Sequence, residues 1–171
     1  MRIFPELATA RCDVANMTDA GVASGPLCDT LSHMKIQAAI VADHAEVLGG
    51  KLYVMGGAFD TIYARSLPAI HKKLFVVLVL EIDAGERQRD LKIDIELVDE
   101  DGEAVGPHAQ GQLRVGAPAS LKPGQPSVLP LHLPFSDLEF PAARLYAFRV
   151  SYGDSELARI PVGVQLLDAQ T

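Results

Sequence analysis

The sequence predicts an all-β chain folded as an antiparallel β-sandwich, immunoglobulin-like or related, and three observations carry that prediction. Residues Asp90 to Val98 read D-L-K-I-D-I-E-L-V, a strict alternation that sets Leu91, Ile93, Ile95 and Leu97 on one face and Asp90, Lys92, Asp94 and Glu96 on the other. A period of two belongs to a strand with one face in a core and one in water. Similar runs recur after Met34, separated by Gly, Pro and Asp turns, and no long amphipathic helix intervenes. Strands at such spacing favour a sandwich, with a closed barrel as the alternative.

Taken in order, Met1 to His33 are rich in Ala, Thr, Ser, Asp and Gly without a sustained period, as expected of a flexible, disordered extension. A start of translation at Met34 is the competing account. The segment M-K-I-Q-A-A-I-V-A opens the compact part, so the expected domain is 34–171, with Lys35 to Ala42 as its first strand. Asp43 to Gly50 is expected to be a connection. Lys51 to Arg65 reads as one long strand bent at Gly56-Gly57, where a glycine pair in β-rich sequence suggests a bulge. Ser66 to Lys72 is expected to loop around Pro68. Lys73 to Asp83 is apolar on both faces and is placed centrally or under a covering element.

After the alternating strand, Asp101-Gly102 supplies a hairpin turn, because glycine tolerates positive φ. Gln112 to Gly116 is expected as a short strand entered from a loop bearing Pro107 and Gly111. Ala117 to Ser127 is an exposed connection. Leu129, Leu131, Leu133 and Phe135 alternate with Pro130, His132 and Pro134; prolines cannot donate ladder hydrogen bonds, which puts this strand at a sheet edge. Leu145 to Tyr152 and Glu156 to Leu167 close the chain around Gly153-Asp154. Tyr146 follows the corner Pro141-Ala142-Ala143-Arg144, so its hydroxyl is expected to tie back to that backbone.

Composition narrows the function. The 171 residues are 49% hydrophobic and 22% charged, with 15 Lys and Arg against 22 Asp and Glu, a net charge of −7. Nucleic acids and anionic membranes are bound through clustered positive charge, so neither is expected as a partner. No apolar run reaches the roughly 18 residues that span a bilayer, and Pro5 and Glu6 interrupt any signal-peptide core; a cytoplasmic location is expected. Both cysteines, Cys12 and Cys28, precede Met34 and lack neighbouring His; they read as two unpaired thiols, with a disulfide between them as the alternative, rather than as a metal site. No cofactor is expected, since there is no G-x-S-x-G, no H-E-x-x-H and no phosphate loop.

The run M-K-I-Q-A-A-I-V-A-D-H-A-E-V followed by G-K-L-Y-V-M-G-G-A-F-D-T-I-Y-A resembles the opening of an uncharacterised bacterial family, a domain of unknown function. L-V-D-E-D-G, R-V-G-A-P-A-S-L-K-P-G and the closing stretch from Pro141 to Pro161 around Tyr146-Ala147-Phe148 agree with it. The resemblance covers Met34 to Leu167. It implies a small β-sandwich and a bacterial origin, and assigns no catalytic residue.

Two clusters remain to be weighed. Asp43, His44 and Glu46 could ligate a divalent metal if a turn folded them together, with His71, His108 or Asp60 completing the set. Asp99-Glu100-Asp101-Gly102 lacks the further ligands of a calcium loop and reads as turn chemistry, with Asp137 and Glu139 as weak partners for a two-loop site. The leading expectation is a non-enzymatic binding module that contacts a protein partner through the 117–127 loop, with Leu121 and Lys122 at its tip, and through the Asp43–Glu46 connection. A metal-binding domain or metal-dependent hydrolase using Asp43, His44 and Glu46 is one alternative, and a structural subunit of a bacterial or phage assembly is the other.

Overall fold

The computed structural model describes residues 34–116 and 122–167. The expectations for the N-terminal extension, for Cys12 and Cys28, and for Leu121 lie outside the described residues. Among the described residues nine strands run in order β1 (Met34–Leu48), β2 (Lys51–Gly57), β3 (Thr61–Ala64), β4 (Ala69–Ile82), β5 (Asp90–Asp99), β6 (Ala104–Arg114), β7 (Ser127–Phe140), β8 (Leu145–Tyr152) and β9 (Ser155–Leu166). They form a four-stranded sheet, β2-β1-β4-β7, and a five-stranded sheet, β3-β9-β8-β5-β6. The fold is all-β, as expected. All pairings are antiparallel except β3 with β9, which is parallel.

The alternation of β5 does what its period requires. Leu91, Ile93, Ile95 and Leu97 are buried in the main core with Tyr146, Phe148 and Val150 of β8. The opposite face pairs across strands: Glu96 lies opposite Arg149 and accepts from its Nη2 at 2.7 Å, and Asp94 accepts from Gln110 Nε2 at 2.6 Å. β4 is central in its sheet, between β1 and β7, which accounts for its apolar run. Leu74, Val76, Leu78, Leu80 and Ile82 enter the main core, while Phe75 and Val77 join Ala42 and Ala45 in a second cluster on the other face.

The turn and corner readings hold. Asp99 Oδ1 accepts from the backbone N–H of Asp101 at 3.1 Å and of Glu103 at 3.0 Å, and Arg144 Nη2 lies 3.1 Å from Asp99 Oδ2. That carboxylate is occupied by its own turn. The Tyr146 hydroxyl donates to the Ala142 carbonyl at 2.9 Å and accepts from the Ala142 N–H at 3.1 Å. β7 is a sheet edge, with Pro130 and Pro134 in it.

Four boundaries differ from expectation. β1 continues through Asp43 to Leu48, because that stretch pairs with β2 from Leu48↔Lys51 to Ala42↔Gly57 and is a strand rather than a connection. Lys51 to Arg65 is two strands in different sheets, broken where Gly56 and Ala58 take φ of 60° and 62°. β4 begins at Ala69, four residues early, since Ala69 already pairs with Phe140. β6 extends back through Gly111 and Pro107 to Ala104; at a sheet edge a proline need not donate to a further strand.

Candidate functional site

The crossing from β2 to β3 builds the cleft in which the candidate site lies. Gly56 leaves the β2 ladder at positive φ, a conformation glycine adopts without a Cβ penalty. Ala58 then donates to the Val41 carbonyl at 2.9 Å, and the Asp60 carbonyl accepts from Gly163 N–H at 2.6 Å, which carries the chain from one sheet to the other. Between these anchors a cleft of about 490 Å³ opens, bounded by Asp43, Phe59, Ile62, Tyr63 and His71. A second hollow of about 400 Å³ shares Ile62, Tyr63 and His71 and adds Arg65, Pro68 and Ile70.

The walls mix apolar and aromatic side chains, Phe59, Ile62 and Ile70 among them, with the polar groups of Asp43, Thr61, Tyr63, Arg65 and His71. The Phe59 and His71 rings lie 6.3 Å apart, and Thr61 Oγ1 donates to Asp60 Oδ1 at 2.9 Å. The Asp43 carboxylate packs against Gly56, in space that any Cβ at that position would take. Among the described residues it makes no hydrogen bond or ion pair. Tyr63 is 63% exposed and Ile70 55%, with Leu67 between them and Met55 one residue from the Gly56 wall. Large apolar side chains grouped on a surface mark contact sites, whereas single ones do not.

Of the residues singled out in the sequence, Asp43 and His71 reach the same cleft, although 28 positions separate them. His44 does not join them; its ring meets Phe75 edge-on at 5.2 Å. Glu46 lies opposite Tyr53 further along β1. The turn that would have gathered Asp43, His44 and Glu46 is an extended strand instead, and among the described residues no group of three His, Cys, Asp or Glu could hold a metal ion. His108 sits 3.0 Å from Asp94 on the distant β5–β6 pair. Lys122 is exposed, in a turn where its N–H donates to Gln125 Oε1 at 3.3 Å; Leu121 lies outside the described residues.

Phe59 and Tyr63 have an ordinary place in the expected Lys51–Arg65 strand, and Ile70 lies in the stretch expected to loop around Pro68, so none of the three stands out in the sequence. The available signal was G-G-A-F, since a left-handed break inside a predicted strand is where a chain changes sheets.

Residues 37–165 match the model of a family of unknown function, DUF6941. No curated protein matches the chain. Among solved structures, the chain is similar to a Pseudomonas fluorescens alkylpurine DNA glycosylase AlkC bound to DNA containing an abasic site analog, at 11% identity and a TM-score of 0.41, over 78% of this chain and 30% of that one. It is also similar to a β-glucuronidase from glycoside hydrolase family 2, at 13% identity and a TM-score of 0.32, over 56% of this chain and 11% of that one. The chain thus spans less than a third of either structure's length. Among the described residues no helix is long and apolar enough to cross a membrane.

Proposed function

The chain belongs to the DUF6941 family of unknown function, and from its own surface we propose that it is a non-enzymatic binding module of the bacterial cytoplasm. It seats an apolar segment of a protein partner in the cleft along β3. The observation that supports this reading is that exposed Tyr63 borders both hollows and exposed Ile70 borders the second beside it. Tyrosine suits such a site, since it brings large contact area with little conformational entropy to lose.

The β-sandwich beneath the cleft has a continuous apolar core, and the Asp99 turn and Tyr146 corner are closed by their own hydrogen bonds. Connections carried on a packed scaffold, such as the β2–β3 crossing here, are where recognition residues concentrate. The acidic balance of the chain leaves nucleic acid and anionic lipid outside this reading.

Affinity capture with the tagged chain from its host lysate tests it, run side by side with Tyr63→Glu and Lys122→Glu. The expected outcome is a partner retained by wild type and Lys122→Glu and lost from Tyr63→Glu, with the unfolding free energy unchanged within about 0.5 kcal/mol, as for exposed substitutions generally. Loss with Lys122→Glu instead would move the contact to the 117–127 loop. A partner indifferent to Tyr63→Glu would remove the cleft from the account.

A further inference from the structure

The four edges of the two sheets are not equally protected. β7 carries Pro130 and Pro134, β6 carries Pro107, and β3 is only four residues long. Prolines and short length are ways of keeping an edge from pairing with another chain. β2 has neither: it is seven residues long, K-L-Y-V-M-G-G, without proline, and its only charge is Lys51 at its start. It is also apolar on both sides. Leu52 and Val54 pack against the Ala42–Phe75 cluster, while Tyr53 and Met55 alternate with them and are 52% and 64% exposed.

We propose that β2 pairs with β2 of a second copy of this chain, joining two four-stranded sheets across a two-fold axis. An isologous contact places the same patch on both subunits, so it requires a strand complementary to itself. Antiparallel pairing centred on Val54 meets that requirement. Val54 faces its own counterpart, and Tyr53 faces Met55 on either side of the axis, a thioether–aromatic match made twice. Lys51 never faces another lysine.

Charge supports the same occupant. In this register Lys51 of one copy is carried toward the Gly56-Gly57 end of the other, where glycines present no side chain to obstruct it. There the Asp43 carboxylate packs against Gly56 without an ion-pair partner among the described residues. Lys51 likewise has none among them. The two-fold makes this Lys51–Asp43 approach twice. A single short edge buries less than the roughly 800 Å² per partner of a standard interface, so dissociation constants on the order of micromolar are expected. The inference rests on the β2 edge and not on β3, and it shares only the Asp43–Gly56 corner with the partner cleft.

Sedimentation velocity of the full chain, from low micromolar to near-millimolar concentration, tests it. The expected result is a reversible monomer–dimer equilibrium. Met55→Glu and Tyr53→Lys each weaken it by about tenfold or more without moving the melting midpoint. Lys51→Asp weakens it too, and Lys51→Asp combined with Asp43→Lys restores it. A monomer at every concentration overturns the proposal, as does a dimer that neither Met55→Glu nor Tyr53→Lys weakens. A dimer weakened by Lys51→Asp but not restored by the charge swap removes the assigned register.

Discussion

Asp99, which ends β5, and Asp43, within β1 beside the end of β2, are treated in opposite ways. Asp99 is 7% exposed, and its carboxylate takes two backbone N–H groups and the Arg144 guanidinium. The Arg144 guanidinium also lies over the Tyr146 ring at 5.3 Å, and the Tyr146 hydroxyl is tied to Ala142, so turn, corner and core are cross-linked by polar contacts. Asp43 lies at the β2–β3 end, against a glycine, beside exposed Tyr63 and Met55. Burying a carboxyl group costs least where its hydrogen-bond capacity is filled. One left without partners at an apolar surface is available to something outside the chain. The difference separates residues that hold this fold from residues that the fold holds out.

The sharpest way to break this contrast is Asp99→Ala. It deletes three acceptor contacts at once and leaves Arg144 beside the core without its counter-charge, so a loss of about 2–4 kcal/mol is expected in chemical denaturation. A change below the scatter of exposed substitutions would mean that the turn holds without its carboxylate. Gly56→Ala comes next. It forces a Cβ into positive φ and into the space of the Asp43 side chain, at a cost of about 1–2 kcal/mol. Asp43 must also be displaced, so cleft-dependent capture should fall together with stability. Capture that survives unchanged would show that the geometry of the Gly56 bulge does not matter to the site.

The smallest effect is a pH dependence confined to the well-satisfied sheet. Asp94 is held below the ordinary aspartate value of 3.8, first by the Gln110 hydrogen bond and then, against the opposing effect of burial, by His108 and the nearby charge of Lys92. A carboxyl whose folded pKa is depressed adds stability above its unfolded pKa. That contribution is lost as pH falls from 3.8 through the lower folded value. Asp94→Asn should therefore lower stability slightly at neutral pH and flatten the acid limb, so that wild type and variant converge below that point. An unchanged acid limb would assign the acid sensitivity to other carboxylates, such as Glu156, which Arg159 holds low in the same way.

How much was legible follows from how local each feature is. The β5 alternation, the Asp99 turn and the Tyr146 corner each rest on residues within a few positions of one another, and each appears in the structure as its residues imply. The β7 edge was legible because Pro130 and Pro134 exclude ladder donors wherever the strand lies. Pro107 misled by the same rule: it reads as a loop until β6 is known to be an edge. Asp43, His44 and Glu46 looked like a cluster because they are adjacent in sequence. Adjacency became alternation once β2 zipped against them, and His44 was drawn onto Phe75.

By itself, then, the sequence determined the fold class, the period and faces of its strands, its turn chemistry and its acidic surface, because dihedral preference and side-chain alternation are properties of short segments. Tertiary structure alone decided that β2 and β3 part into different sheets, that Asp43 meets His71 across one cleft, and that β2 is left as an unprotected edge. Those outcomes depend on which strands pair over long separations, and pairing is set by burial of the whole core rather than by any run of residues.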